Sequence, residues 1–201
     1  MQITSEEELR ALYGFPKGRA KDKQLARLEK HSIQFISLSP FVLISTSDKQ
    51  GRLDCSPRGG EQGFVKVLDE QTLLIPDSKG NNRLDSLVNI VETGNVGCLF
   101  MIPGVDETLR VNGDACLSIS KEHLALFSGW KNPPKSCIKI SITEVFLHCA
   151  KALMRSKLWH SDSQIVRTEL PTMGRMLNDQ LSIYEEPETQ AQMVERYQSD
   201  L

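Results

Sequence analysis

The sequence predicts a mainly β fold: a closed or split antiparallel barrel with helices at its periphery. Three observations carry this. Strand-like segments, about six of them, cluster between residues 41 and 148. They follow one another as hairpins, with no regular alternation of strand and helix, which argues against a doubly wound sheet. Helical patterns stand before, within and after the cluster.

The elements run in order. "TSEEELRALYG" reads as a capped helix, with Thr4 or Ser5 as N-cap, acids in the first turn and Gly14 as the stop. "GRAKDKQLARLEKHSIQFI" reads as one moderately amphipathic helix, with Leu25, Leu28, Ser32 and Ile33 near one face. Pro40 ends it. "FVLISTS" (41–47) and "RLDCS" (52–56), joined by the turn "DKQG", form a hairpin. "GFVKVLD" (63–69) and "TLLIP" (72–76) form a second around Asp69-Glu70-Gln71. A helix follows, with Leu84, Leu87, Val88 and Val91 as its apolar stripe and Gly94 as its end. "VGCLFMI" (96–102) suits a buried central strand, and "TLRVNGDACLSI" (108–119) a strand with a bulge at Gly113. "KEHLALFS" is a short helix, and "SCIKISITEVFLH" (136–148) a long strand. Helices after Pro171 and Pro187 finish the chain. The expected organisation is one domain over 1–201: N-terminal helices over 1–39, a barrel core over 40–150, and a C-terminal segment with helices over 151–201.

Composition removes several function classes. The net charge of -2 provides no broad basic field for nucleic acid. The five cysteines are odd in number, lack C-x-x-C spacing and sit mostly among apolar neighbours, so buried, reduced thiols are expected. No apolar run approaches the ~20 residues of a membrane helix, and the N-terminus lacks the apolar core of a signal peptide. A cytoplasmic location is the expectation.

Four stretches are candidate sites. In "PDSKGNNRLDSL" (76–87), small donors and positive charge crowd the mouth of a helix. With Asn82 as N-cap, a capped helix and a solvated Arg83 would account for these residues. Alternatively, exposed backbone N–H groups, Asn81, Asn82 and Arg83 converge on a phosphate, and Gly80 permits close approach. Lys79 adds charge or is simply solvated. "CSPRGG" (55–60) is a turn with an exposed Arg58, or a backbone wall for a flat ligand whose polar edge Arg58 reaches. In "LRVNGDA" (109–115), Arg110 is on a solvent face or paired in a pocket, and Asn112 shares its face. In "HCAKALMRSKLWH" (148–160), Lys151 and Arg155 share one helix face and Trp159 follows. They form a basic surface with the indole packed on the barrel, or a cationic rim over a planar anion.

The four histidines are scattered, and neither a zinc-finger spacing, a nucleophile elbow, a dinucleotide fingerprint nor a phosphate-binding P-loop is present. No residue identifies itself as a general acid or base. That pattern fits chemistry carried by a cofactor, the protein supplying binding and orientation.

In their order along the chain, "SPRGG", "GFVKVLDEQTLLIPDSKGNNRLDSLVNI", "LRVNGDA" and "CAKALMRSKLW" resemble the pyridoxamine 5'-phosphate oxidase-like flavin-binding family, in particular its branch with a "GNNRLDSL" signature. The resemblance covers roughly residues 35 to 180, and the long central stretch is its most specific part. It implies an FMN-binding split β-barrel that forms a homodimer, with FMN in two clefts at the interface. It implies that Asn81, Asn82 and Arg83 grip the FMN phosphate. Arg58 and Gly59 would lie near the ring or ribityl chain, and Arg110 would face the cofactor. Lys151, Arg155 and Trp159 would close the site, from the second subunit. The implied activity is FMN-dependent oxidation or reduction of a small molecule or a nicotinamide. The alternatives are a flavin carrier or sensor without turnover, and a split-barrel binder of haem or deazaflavin. Two departures matter. The vitamin-pathway oxidases of the family use a Ser-Arg-Lys phosphate loop where this chain has Asn-Asn-Arg. They also end in an Arg/His substrate motif that this chain lacks. FMN binding therefore transfers better than the vitamin substrate.

Overall fold

The computed structural model describes residues 2–200. Seven strands form one antiparallel sheet: β1 (Phe41–Ser47), β2 (Leu53–Gly59), β3 (Lys66–Asp69), β4 (Thr72–Pro76), β5 (Asn95–Met101), β6 (Thr108–Ser118) and β7 (Cys137–His148). Their order is β2-β1-β5-β6-β7-β4-β3. Among the described residues eight α-helices accompany the sheet: α1 (Glu6–Tyr13), α2 (Arg19–Asp22), α3 (Lys30–Leu38), α4 (Asp85–Thr93), α5 (Lys121–Ala125), α6 (Lys151–Ser156), α7 (Met173–Leu181) and α8 (Gln190–Gln198). The mainly β fold with peripheral helices is thus the one the sequence predicts.

Alternation explains the core. Val42, Ile44 and Thr46 of β1 point inward, toward Val96, Cys98 and Phe100 of β5 and Leu109 and Val111 of β6. Burying each large aliphatic side chain contributes roughly 1.5–3 kcal/mol. The β6–β7 ladder is the longest. It shifts register between Asn112 and Gly113, where Thr143 of β7 is the extra, unpaired residue, so the bulge expected at Gly113 lies instead on the strand opposite it. A side chain at Gly113 would run into the Ser141 carbonyl, so glycine is required by close approach of the two strands.

The sheet is split rather than closed. β2 and β3 are its edges, yet Asp54, Ser56 and Arg58 of β2 line the same cleft as the segment leaving β4. The two ends of the sheet curl toward each other, and α4 packs against the β1–β2 end. Ser86 Oγ donates to Asp54 Oδ2 (2.5 Å), Asn89 Nδ2 to Thr46 Oγ1 (3.0 Å) and Thr93 Oγ1 to the Ser47 carbonyl (2.9 Å).

Three expectations need correction. Residues 18–36 are not one helix. α2 stops at Asp22, Leu25 bridges to Val145 beside β7, and α3 starts only at Lys30, capped by the Glu29 carboxylate. The edge of β7 beyond β4 offers Leu25 two backbone hydrogen bonds, which compete successfully with helix continuation. On α4 the buried face is Ser86, Leu87, Asn89 and Ile90, whereas Val88 and Val91 are exposed. Hydrogen bonds to β1 and β2 rotate two polar residues inward. All five cysteines are free, but only Cys98 and Cys137 are buried. Cys55, Cys116 and Cys149 are exposed, because they fall on the outer phase of β2 and β6 or beyond the end of β7.

Candidate functional site

The segment after β4 opens a cleft of about 540 Å³ between β2, the start of α4 and the 132–135 loop. Its size lies within the usual range of small-molecule sites, about 300–1,000 Å³. Lining residues that can bind an anion are Arg58, Lys79, Asn81, Asn82, Arg83 and Lys135.

Local sequence explains the shape of the opening. Asn81 Oδ1 accepts from the Arg83 backbone N–H (3.1 Å), folding the asparagine back on its own chain. Asn82 and Leu84 are both left-handed, with φ of 60° and 61°. A leucine there is strained by about 1–2 kcal/mol, and such strain concentrates at ligand clamps and switch regions. The helix therefore begins at Asp85 with Leu84 as N-cap, and no side chain caps it. The expectation of an Asn82 cap is overturned: a left-handed Asn82 followed by a left-handed Leu84 excludes a helix start at Arg83. The consequence favours the ligand reading. The first residues of α4 line the cleft, and their N–H groups have no side-chain cap at the positive end of the helix dipole.

Arg58 supplies the second anchor. On β2, Asp54, Ser56 and Arg58 share one face by the two-residue period. Arg58 Nη1 donates to Ser56 Oγ (2.7 Å) and to the Pro57 carbonyl (3.1 Å). Its Nε is buried and has no partner among the described residues. A buried guanidinium N–H without an acceptor is costly, and a ligand oxygen would satisfy it. Carboxylates balance the cations. Arg83 Nε pairs with Asp85 at 2.8 Å, an exposed pair that a ligand can exchange. The half-buried Asp77 carboxyl is pushed above its ordinary range by burial, and Arg58 pulls it partly back.

The structure thus brings together Arg58, Asn81, Asn82 and Arg83. Gly59 lies next to Arg58 on β2, but the cleft lining does not include it. Arg110 is exposed on the other face of the sheet, its guanidinium 5.3 Å from the centre of the Phe146 ring. Lys23 Nζ approaches the same ring at 5.4 Å and His148 stands beside it. Burial, then Arg110 and Lys23, hold the His148 imidazole below its ordinary range. Lys151 and Arg155 do share α6, as the spacing predicts, on an exposed surface. Trp159 is half-buried and its Nε1 donates to the Val105 carbonyl (2.9 Å). These four residues do not line the cleft of their own chain.

Sequence reasoning gave no role to Asp54, Ser56, Asp77, Ser86 and Lys135, although Ser56, Asp77 and Ser86 fall within its candidate stretches. Period-two alternation from Arg58 back to Asp54 was the available signal for the first two. Lys135 comes from a distant loop and gave none.

A larger cleft of about 840 Å³ lies between residues 25–30 and Glu70-Gln71. Within it Arg27 pairs with Glu70 (3.3 Å), and the Glu29 carboxylate accepts from the His31 and Ser32 N–H groups. Among the described residues, no group of three or more His, Cys, Asp or Glu could hold a metal ion, and no helix is long and apolar enough to cross a membrane.

The family model described as Pyridoxamine 5'-phosphate oxidase matches residues 28–149, from the residues before α3 to the end of β7. No curated protein matches the chain. Among solved structures, HupZ of Group A Streptococcus is similar with a TM-score of 0.51 at 15% identity, covering 60% of this chain and 93% of that one. An FMN-binding protein from Syntrophomonas wolfei gives 0.44 at 15% identity, with 58% and 81% covered. The FAD binding protein from Mycobacterium smegmatis gives 0.43 at 15% identity, with 62% and 97% covered. At such identities the HupZ likeness bears on the fold alone.

Proposed function

The chain belongs to the pyridoxamine 5'-phosphate oxidase family, and from that premise we propose that it binds FMN in the cleft at the start of α4 and works as an FMN-dependent oxidoreductase on a small molecule or a nicotinamide. The observation that carries this reading is the convergence of two unsatisfied donor sets: the uncapped first turn of α4 and the buried, partnerless Nε of half-buried Arg58. Asn81, Asn82 and Arg83 add amide and guanidinium donors, and charge-assisted hydrogen bonds to a phosphate are the strong kind. Bound FMN would supply hydride-transfer chemistry. The protein's part is to hold the phosphate, orient the cofactor and shield one side of it.

A homodimer is part of the proposal. Leu84, Val88 and Val91 form an apolar stripe on α4 that is 48%, 50% and 72% exposed beside the cleft. Arg110, Lys151, Arg155 and Trp159 lie outside the cleft of their own chain, where a second copy could bring them to it.

The test is direct. The purified protein should be yellow and release FMN, identified by mass, on denaturation. Arg83→Ala should weaken FMN binding by about 1.5–3 kcal/mol, the range for hydrogen bonds to charged groups. Unchanged affinity would remove the phosphate assignment. Reduction of the bound flavin by NADH, NADPH or a substrate panel separates an oxidoreductase from a carrier or sensor. A haem absorption band instead would redirect attention to His148 or His160.

A further inference from the structure

Residues 198–200, outside the family-matched residues, reach the rim of the same cleft. Lys79 Nζ stands 2.5 Å from Asp200 Oδ1. From the end of α8, the Gln198 carbonyl accepts from Lys131 Nζ (3.1 Å) and the Ser199 carbonyl from Asn132 Nδ2 (3.4 Å). Lys79 and Asn132 both line the cleft. The last carbonyls of a helix have no intrahelical donors and sit at its negative end, so Lys131 and Asn132 are suitable partners. The tail therefore clasps both rim segments, residues 77–83 and 131–135.

Asp200 presents a carboxylate to a lysine of an anion cleft, in the role a ligand oxygen would take. Its carboxyl is held below the usual range, first by the Lys79 hydrogen bond. The contact is easily exchanged: the Lys79 side chain is 65% exposed and Asp200 35%. We infer that Asp200 and the last turn of α8 gate the cleft: the tail holds Lys79 in the absence of ligand, and an incoming phosphate takes Lys79 over and releases the tail. This rests on the anion-binding reading of the cleft, and makes Lys79 a further ligand-binding residue.

The experiment titrates FMN into the full chain, Asp200→Asn and Lys79→Ala, and follows amide hydrogen exchange over residues 190–200 with and without FMN. Asp200→Asn should tighten FMN roughly two- to fivefold, the size of an exposed ion pair. Lys79→Ala should weaken it, and exchange over 190–200 should rise on binding. A tail with only a structural role would lower Tm in Asp200→Asn and leave Kd unchanged, which overturns the gate while FMN binding stands. Should FMN bind none of the three proteins, the flavin reading falls. Inorganic phosphate then decides the gate: faster exchange over 190–200 on its addition supports it, and unchanged exchange overturns it.

Discussion

Ser86 Oγ donates to Asp54 Oδ2 across 2.5 Å, and this bond ties the first turn of α4 to β2. The two walls that carry the donors of the cleft are thereby held at a fixed separation. Ser86 is buried and Asp54 half-buried. Ser86→Ala leaves a carboxylate oxygen without that donor, so we expect a stability loss of about 1–2 kcal/mol, read by urea denaturation, together with weaker FMN binding. Asp54→Asn keeps an acceptor for Ser86 and should stay close to the wild-type stability. Equal losses in both variants would mean that charge, not the hydrogen bond, holds the helix.

Arg58 offers a sharper test of ligand geometry. Its Nη1 is engaged by Ser56 and Pro57, while Nε has no partner. Lysine preserves the charge but not the planar fork. Arg58→Lys should therefore lose most of what Arg58→Ala loses in FMN affinity, about 1.5–3 kcal/mol for a charge-assisted bond, by fluorescence titration. If lysine restores wild-type affinity, Arg58 acts only as a point charge.

What the sequence disclosed and what it concealed follow from range. β1 alternates cleanly, β7 does so only from Ile138 to Thr143 before its phase shifts, and the strands fell close to where alternation placed them. The α1 cap at Ser5 was legible because its partner, the Glu8 N–H, is three residues away. The face of α4 was misjudged because Ser86 and Asn89 turn inward for partners 32 and 43 residues away. The gathering of Arg58 with Asn81–Arg83 followed from resemblance rather than periodicity, since it depends on the sheet curling until β2 meets the end of β4. Asp200 beside Lys79, 121 residues apart, left no local trace.

Asp77 sets a pH dependence. Burial raises its carboxyl above the ordinary 3.8, with Arg58 opposing. An acid with a raised folded-state value binds its proton more tightly when folded. Its contribution is therefore fully present below about pH 3.8 and is lost as pH rises through the folded value. At neutral pH the ionised carboxylate destabilises the fold. Asp77→Asn should raise Tm at pH 7, and the gain should shrink toward zero as pH falls to about 3.8. Thermal melts across that window check it. The same variant removes a negative charge from the cleft and should tighten FMN binding. A constant Tm difference across pH would assign the effect to packing.

The cysteines report on the outer surface. Burial pushes the Cys98 thiol up to about 12 and, with Asp77 adding, the Cys137 thiol up to about 11. Because the thiolate is the reactive species, both should resist a disulfide reagent until the protein unfolds. Cys55, Cys116 and Cys149 are exposed in the isolated chain and should react in the folded protein. Counting thiols with a chromogenic disulfide before and after denaturant should give three and then five in dilute solution. Cys55 alternates with the cleft-facing Asp54 and Ser56, so it marks the opposite side of β2. If it becomes protected as concentration rises, while Cys116 and Cys149 stay reactive, a second copy covers that side of the sheet, and the homodimer gains an address. Reaction of Cys98 or Cys137 in the folded protein would instead show that the sheet opens on the timescale of the assay.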